Sequence, residues 1–119
     1  MDKNCPVNKA VDIIGKRWTI LIILELYKDK SKKKRYSELK KKIPNITAKI
    51  LSLRLKELEK NKIISKTIDS KKFPIKSEYS LTKKGLEFVS VINTLKKWSL
   101  DYCSTNQNCR KEDCKYCGL

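Results

Sequence analysis

The 119-residue chain contains no histidine. Imidazole is therefore missing as a general acid or base, as a metal ligand, and as the partner that activates a serine or cysteine nucleophile. Glycine is scarce too: Gly15, Gly85 and Gly118 are the full set, so the chain has neither a phosphate-cradling P-loop nor a dinucleotide fingerprint. Long apolar runs are lacking, because Ile20 to Leu24 is followed at once by Glu25, far short of the roughly 18 residues of a membrane span. The opening Met1-Asp2-Lys3-Asn4 has no signal-peptide apolar core. These gaps point away from an enzyme and a membrane partner, and toward a cytoplasmic protein.

Negative charge is the remaining scarcity. Thirteen Asp plus Glu stand against 29 Lys plus Arg, a formal charge of +16. Heat adaptation enriches Lys but usually brings Glu with it, whereas a one-sided excess favours polyanions, nucleic acid first among them. With 39% hydrophobic and 35% charged residues, the chain is too apolar to be disordered and long enough for one small core, which a dimer would enlarge.

Patterning along the chain predicts a mainly α fold with a small β-wing. Pro6 suits a first helical position, and Ala10, Ile13 and Ile14 form an apolar stripe that Gly15 ends. A second helix is expected from about Arg17 to Tyr27, where Trp18, Leu21, Ile22, Leu24 and Leu26 are dense enough for burial on most sides. Asp29 to Arg35 reads as a basic loop. A short helix follows from Tyr36 to about Lys42, with Leu39 and Ile43 on its apolar side before Pro44 stops it. The turn Pro44-Asn45-Ile46 leads to Thr47, placed to cap a helix reaching about Asn61. Two helices joined by a four-residue turn form a helix-turn-helix.

Beyond it, Ile63 to Ile68 and Glu78 to Leu81 read as two strands, with Asp69 to Ser77 as a solvated hairpin tip carrying Lys71, Lys72 and Lys76. That is a wing. Thr82 then caps a long helix whose Phe88, Ile92, Leu95, Trp98 and Tyr102 recur at three- or four-residue spacing over about 30 Å. Such a stripe outruns a core this small and is expected to pack partly on a second subunit. Residues 1–102 are thus expected to form a winged helix-turn-helix DNA-binding domain whose last helix packs partly on a second subunit, with 103–119 a cysteine-rich tail.

A helical wheel over Thr47 to Asn61 places Ala48, Leu51, Leu55 and Leu58 in one arc, the core face. The opposite arc carries Lys49, Leu53, Lys56 and Lys60, with Ser52 at its margin. Any solvated helix shows lysines outward, but Leu53 among cations makes more sense at an interface than on a free surface. In the major groove, Lys49 donates to guanine or phosphate, Ser52 bonds base edge or backbone, and Leu53 touches a thymine methyl. Thr47 and Lys56 complete this candidate set. Arg35, Lys71, Lys72 and Lys76, with Lys32 to Lys34, suit phosphate contacts, which add affinity without direct sequence information.

Cys103, Cys109, Cys114 and Cys117 fall within fifteen residues as C-x5-C-x4-C-x2-C. Four thiolates complete a tetrahedral zinc site or hold an iron-sulfur cluster, although only the C-x2-C half has the usual zinc spacing. Redox disulfides and an inert tail are the alternatives. Two other classes of function stay open: a small redox or metal-cluster protein, and a nonspecific architectural nucleic-acid-binding protein.

Several of these segments match one family pattern in order. Cys5-Pro6-Val7, Ile14-Gly15-Lys16-Arg17-Trp18-Thr19 and Arg35-Tyr36-Ser37-Glu38-Leu39 come first; Pro44-Asn45-Ile46-Thr47 with Leu51, Arg54-Leu55 and Glu57-Leu58-Glu59 follow, then Glu78-Tyr79-Ser80-Leu81-Thr82 with Gly85. Over about Cys5 to Trp98 the chain resembles HxlR-type regulators. The resemblance implies a winged helix-turn-helix related to MarR-type proteins, a two-fold homodimer formed by the first and last helices, and a pseudo-palindromic operator in double-stranded DNA. Leu53 departs from a position that is often polar in the family, and Ser77 from one that is usually apolar. The resemblance also implies that Cys5 can be a thiol sensor, since some members use the cysteine before this Pro-Val. A helix N-terminus with Lys3 and Lys9 nearby is the electropositive setting in which reactive thiols sit; a small residue packed at the dimer seam is the alternative.

Overall fold

Pro6 occupies the first turn of α1 (Pro6–Ile14), where its missing N–H costs nothing. Gly15 ends the helix as expected: its amide donates to the Val11 carbonyl at 2.8 Å, and a Cβ there would crowd that same oxygen. The computed structural model describes residues 2–28, 33–69 and 76–103, and among these no helix is long and apolar enough to cross a membrane.

The second helix, α2 (Thr19–Lys28), starts two residues later than its apolar pattern suggests. Trp18 takes a φ of 82°, a left-handed conformation uncommon for a bulky side chain, and it breaks the helix at that point. The Arg17 guanidinium lies over the Trp18 ring, 4.6 Å from its centroid. Burial of α2 extends over most sides, as its dense apolar pattern requires: Ile22, Ile23 and Leu26 are sealed, Ile20 and Leu24 are half-buried, and Leu21 stays 45% exposed.

The stretch expected as a basic loop ends in a strand. β1 (Lys33–Arg35) pairs antiparallel with β3 (Lys76–Leu81), whose other edge pairs with β2 (Ile64–Asp69), giving the order β1-β3-β2. Lys34 and Lys66 both stand opposite Tyr79 in this register. β1 satisfies backbone groups that β3 would otherwise leave on an open edge. Lys34, expected at the DNA backbone, is buried instead, its Nζ 3.0 Å from Glu25 Oε2; Lys28 holds the other carboxylate oxygen at 3.2 Å. β3 begins at Lys76, so this residue belongs to a strand and not to the tip.

α3 (Tyr36–Lys42) and α4 (Ala48–Lys60) have the expected bounds. Between them Asn45 adopts a φ of 67°, which its short polar side chain tolerates. Leu51, Leu55 and Leu58 seal the inner face of α4 in the core that also takes in Leu39, Ile43 and Ile46. Ala48, placed on that face by the wheel, is exposed, because the first helical turn projects past the core before the packed rows begin. At its other end α4 closes in a Schellman motif: Lys62 N–H bonds Glu59 O and Ile63 N–H bonds Leu58 O, both at 3.0 Å. Lys62 holds the left-handed position, φ 61°, that glycine usually fills.

α5 (Lys83–Tyr102) is capped by Thr82, whose hydroxyl oxygen accepts from the Gly85 amide at 3.2 Å. Val89, Ile92 and Leu100 face inward. Val91, Leu95, Trp98 and Tyr102 stay exposed, as do Val7 and Val11 of α1. An apolar surface therefore remains on the two helices expected to meet a second copy.

Candidate nucleic-acid interface

The candidate surface is built around the N-terminal half of α4. Thr47 caps the helix, its hydroxyl oxygen accepting from the Ile50 amide at 3.2 Å, and its carbonyl receives the Leu51 amide at 2.9 Å. The cap satisfies an orphan donor while directing the first turn away from the core. Lys49, Leu53, Lys56 and Lys60 project to solvent as the wheel requires, Leu53 being 44% exposed. Ser52 is half-buried at the edge of this face.

Contacts between residues far apart in the chain hold α4 at this angle. Tyr36, the first residue of α3, reaches across the turn and donates its hydroxyl to the Ala48 carbonyl at 2.9 Å; Ser52 Oγ donates to that Tyr36 oxygen at 3.4 Å. On the other flank Arg54 Nε donates to the Arg17 carbonyl at 3.2 Å, and Glu57 accepts from Arg54 at 3.2 Å and from Lys16 at 3.0 Å. Thus α4 is fixed to α3 near its start and to the α1–α2 turn at its middle. The local signal for the first tie is a tyrosine opening one helix and a serine on the next; only the fold brings them together.

The remaining candidates divide by place. Arg35 is half-buried at the start of α3, where its amide donates to the Glu38 carboxylate at 3.5 Å. Lys71 and Lys72 lie outside the described residues, as does the side chain of Lys76. Three exposed cations went unassigned in the sequence: Lys40, Lys41 and Lys42 form the last turn of α3, the helix that crosses the backbone in helix-turn-helix docking. The charge run itself was the available signal. Cys5 is half-buried at the N-cap of α1 with a free thiol. Cys103 ends α5 as an exposed free thiol, while Cys109, Cys114 and Cys117 lie outside the described residues.

The chain is similar to known proteins over most of its length. Residues 13–107 match the family model described as HxlR-like helix-turn-helix. The HTH-type transcriptional regulator YodB of Bacillus subtilis is 34% identical over 110 residues, covering 92% of this chain and 95% of YodB. A crystal structure described as a transcriptional regulator of the MarR family from Porphyromonas gingivalis W83 superposes with a TM-score of 0.77 at 34% identity, covering 86% of this chain and 96% of the other. The reduced form of YodB gives 0.72 at 36% identity, covering 86% and 97%. The redox regulator HypR in its oxidised form gives 0.70 at 34% identity, covering 84% and 99%.

Proposed function

The chain belongs to the HxlR-like helix-turn-helix family of DNA-binding transcriptional regulators, and on that premise we propose that it binds a pseudo-palindromic operator as a cytoplasmic homodimer, with α4 in the major groove and cysteine thiols as its sensors. The observation that carries this is the outward face of α4, where Lys49, Leu53 and Lys56 stand exposed behind a Thr47-capped turn. Lys49 and Lys56 donate to phosphate or guanine, and Leu53 meets a thymine methyl. Lys40 to Lys42 on α3 and Arg35, with the wing cations Lys71, Lys72 and Lys76, supply sequence-independent affinity.

The exposed Val91, Leu95, Trp98 and Tyr102 on α5, with Val7 and Val11 on α1, support dimerisation through the first and last helices. A redox-responsive role is favoured by the similarity to YodB and HypR, the latter described as a redox regulator. Cys5 is the sensor candidate because it sits at the N-cap of α1, beside the apolar surface assigned to the dimer. The four tail cysteines, Cys103, Cys109, Cys114 and Cys117, are assigned a tetrathiolate zinc or iron-sulfur site on their clustering alone.

The test is selection of bound genomic fragments with reduced and oxidised protein, followed by competition against random DNA at fixed salt and metal analysis of the purified chain. Two half-sites about 34 to 36 Å apart, with a specificity ratio of about 10³ or more, are expected. Equal affinity for selected and random DNA would make the protein an architectural binder instead. Unchanged binding after oxidation, chelation and replacement of all five cysteines by serine would remove the sensing role.

A further inference from the structure

The two hydroxyls at the reading end of α4 have opposite polarity. Thr47 spends an acceptor lone pair on the Ile50 amide, so its O–H remains available to donate outward. Ser52 is arranged the other way. Its proton goes to Tyr36 Oη at 3.4 Å, and Tyr36 in turn donates to the Ala48 carbonyl at 2.9 Å.

The carbonyl matters because Ala48 lies four residues before Ser52. A helical serine usually finds its local acceptor there. One lone pair of that carbonyl belongs to the helix's own hydrogen bond from the Ser52 amide, and the Tyr36 hydroxyl takes the other. The donor of Ser52 is thereby directed to Tyr36, leaving lone pairs on Ser52 Oγ toward the half-open margin of α4 between Lys49, Leu53 and Lys56.

The geometry points to Ser52 as a hydrogen-bond acceptor that selects an exocyclic amino group in the major groove, with Tyr36 as the positioning residue that sets its polarity. This rests on α4 being the DNA-reading helix. Phosphate oxygens only accept, so a hydroxyl presenting lone pairs is poorly suited to the backbone and well suited to a base donor. The major groove offers two, adenine N6 and cytosine N4, while guanine and thymine present only acceptors and a methyl. Ser52 therefore favours adenine or cytosine on the strand it faces. Lys49, three residues earlier and purely a donor, favours the opposite chemistry, guanine or phosphate.

The experiment uses the full chain and the operator that the wild type selects. A base position is expected at which adenine or cytosine is preferred about fivefold, the worth of one net hydrogen bond, and at which Ser52→Ala removes the preference. Replacing that base by an analogue lacking the amino group (purine for adenine, 2-pyrimidinone for cytosine) should weaken wild-type binding about fivefold and leave Ser52→Ala unchanged. Tyr36→Phe should weaken the preference at this same position only, with the salt slope unaltered, because the Ser52 proton loses the acceptor that held it and can turn to the groove. Circular dichroism of both variants separates this from loss of fold. Loss of a guanine or thymine preference in Ser52→Ala, or equal sensitivity of both proteins to the missing amino group, overturns the assignment. A wild type that enriches no sequence overturns the DNA-reading premise itself, and is seen before any variant is made.

Discussion

Gly85 lies so close against the backbone carbonyl of Ile63 that a side chain at residue 85 has no room, and Leu81 Cδ2 would stand only 3.0 Å away. Thr82 joins the same contact, its hydroxyl donating to the Lys62 carbonyl at 2.6 Å and its amide to Ile63 at 3.0 Å, while Lys84 Nζ reaches the Asn61 carbonyl at 2.9 Å. The end of α4 and the start of α5 therefore share one carbonyl cluster. Gly85→Ala must push the main chain of α5 away from Ile63 and should lower unfolding stability by roughly 1–3 kcal/mol. Thr82→Ala, which loses the cap as well as the bridge, should cost about 1–2 kcal/mol. Urea denaturation measures both.

Lys62 gives the opposite sign. It occupies the left-handed position of the Schellman motif with an exposed side chain, a conformation that costs a non-glycine residue about 1 kcal/mol. Lys62→Gly should raise stability by roughly 0.5 kcal/mol after the added unfolded-state freedom of glycine is subtracted. A fall in the denaturation midpoint would show that the lysine side chain contributes something the backbone does not reveal.

Two ion pairs of identical 3.0 Å length should behave differently because of where they lie. Glu25 and Lys34 are 10% and 8% exposed at their side chains, whereas Lys16 and Glu57 are 45% and 28% exposed. Glu25→Gln leaves Lys34 buried with only a neutral partner and should cost several kcal/mol, about 3 or more. Lys16→Ala should cost less than about 1 kcal/mol. The double variant Glu25→Met with Lys34→Met should cost less than its two component changes added together, since Lys34 is no longer left inside as an unpaired charge; thermal unfolding of the four proteins decides it.

DNA contacts separate by salt dependence. Each of Lys40, Lys41 and Lys42 that meets a phosphate should, when changed to alanine, reduce the slope of log K against log salt by about 0.9 and weaken random and operator DNA alike. Leu53→Asn should leave the slope intact and change the selected base at one position in each half-site. Fluorescence anisotropy titrations at several salt concentrations distinguish the two outcomes.

The exposed apolar stripe on α5 predicts an assembly equilibrium. Trp98 and Tyr102 lie with ring centroids 5.8 Å apart, tilted by 42°, and are 56% and 77% exposed. Trp98→Glu should shift the protein to monomer in sedimentation velocity while the far-ultraviolet spectrum stays unchanged, because the helix is held to its own subunit by Val89, Ile92 and Leu100 on the other side.

Helices, turn and caps were readable from the sequence because their signals are local. Pro6, Gly15, Thr47 and Thr82 each start or stop a helix within one turn of their own position, and Leu51, Leu55 and Leu58 mark a face by spacing alone. What was not readable depends on contacts distant in sequence. Lys33-Lys34-Arg35 has no apolar alternation, and becomes a strand only because β3 has an edge to fill. Lys34 is buried because Glu25, nine residues earlier, meets it inside. Trp18 looked like the first core residue of a helix, yet its left-handed backbone ends the preceding turn. At the candidate interface the outward set on α4 followed from periodicity. The hydroxyl chain from Ser52 through Tyr36 to Ala48 needed the angle between two helices, which no pattern in the chain states.

The shared cluster at Ile63 makes α4 and α5 parts of one lever. In a two-copy assembly joined along α5, a rod of about 30 Å, a tilt of about 5° at the far end carries the near end through roughly 2.6 Å. Successive base pairs are about 3.4 Å apart along the duplex. With α4 as the DNA-reading helix proposed above, a change at the subunit contact too small to disturb either fold would therefore shift the end of α5 that anchors α4 by most of a base-pair step, enough to put two half-sites out of phase.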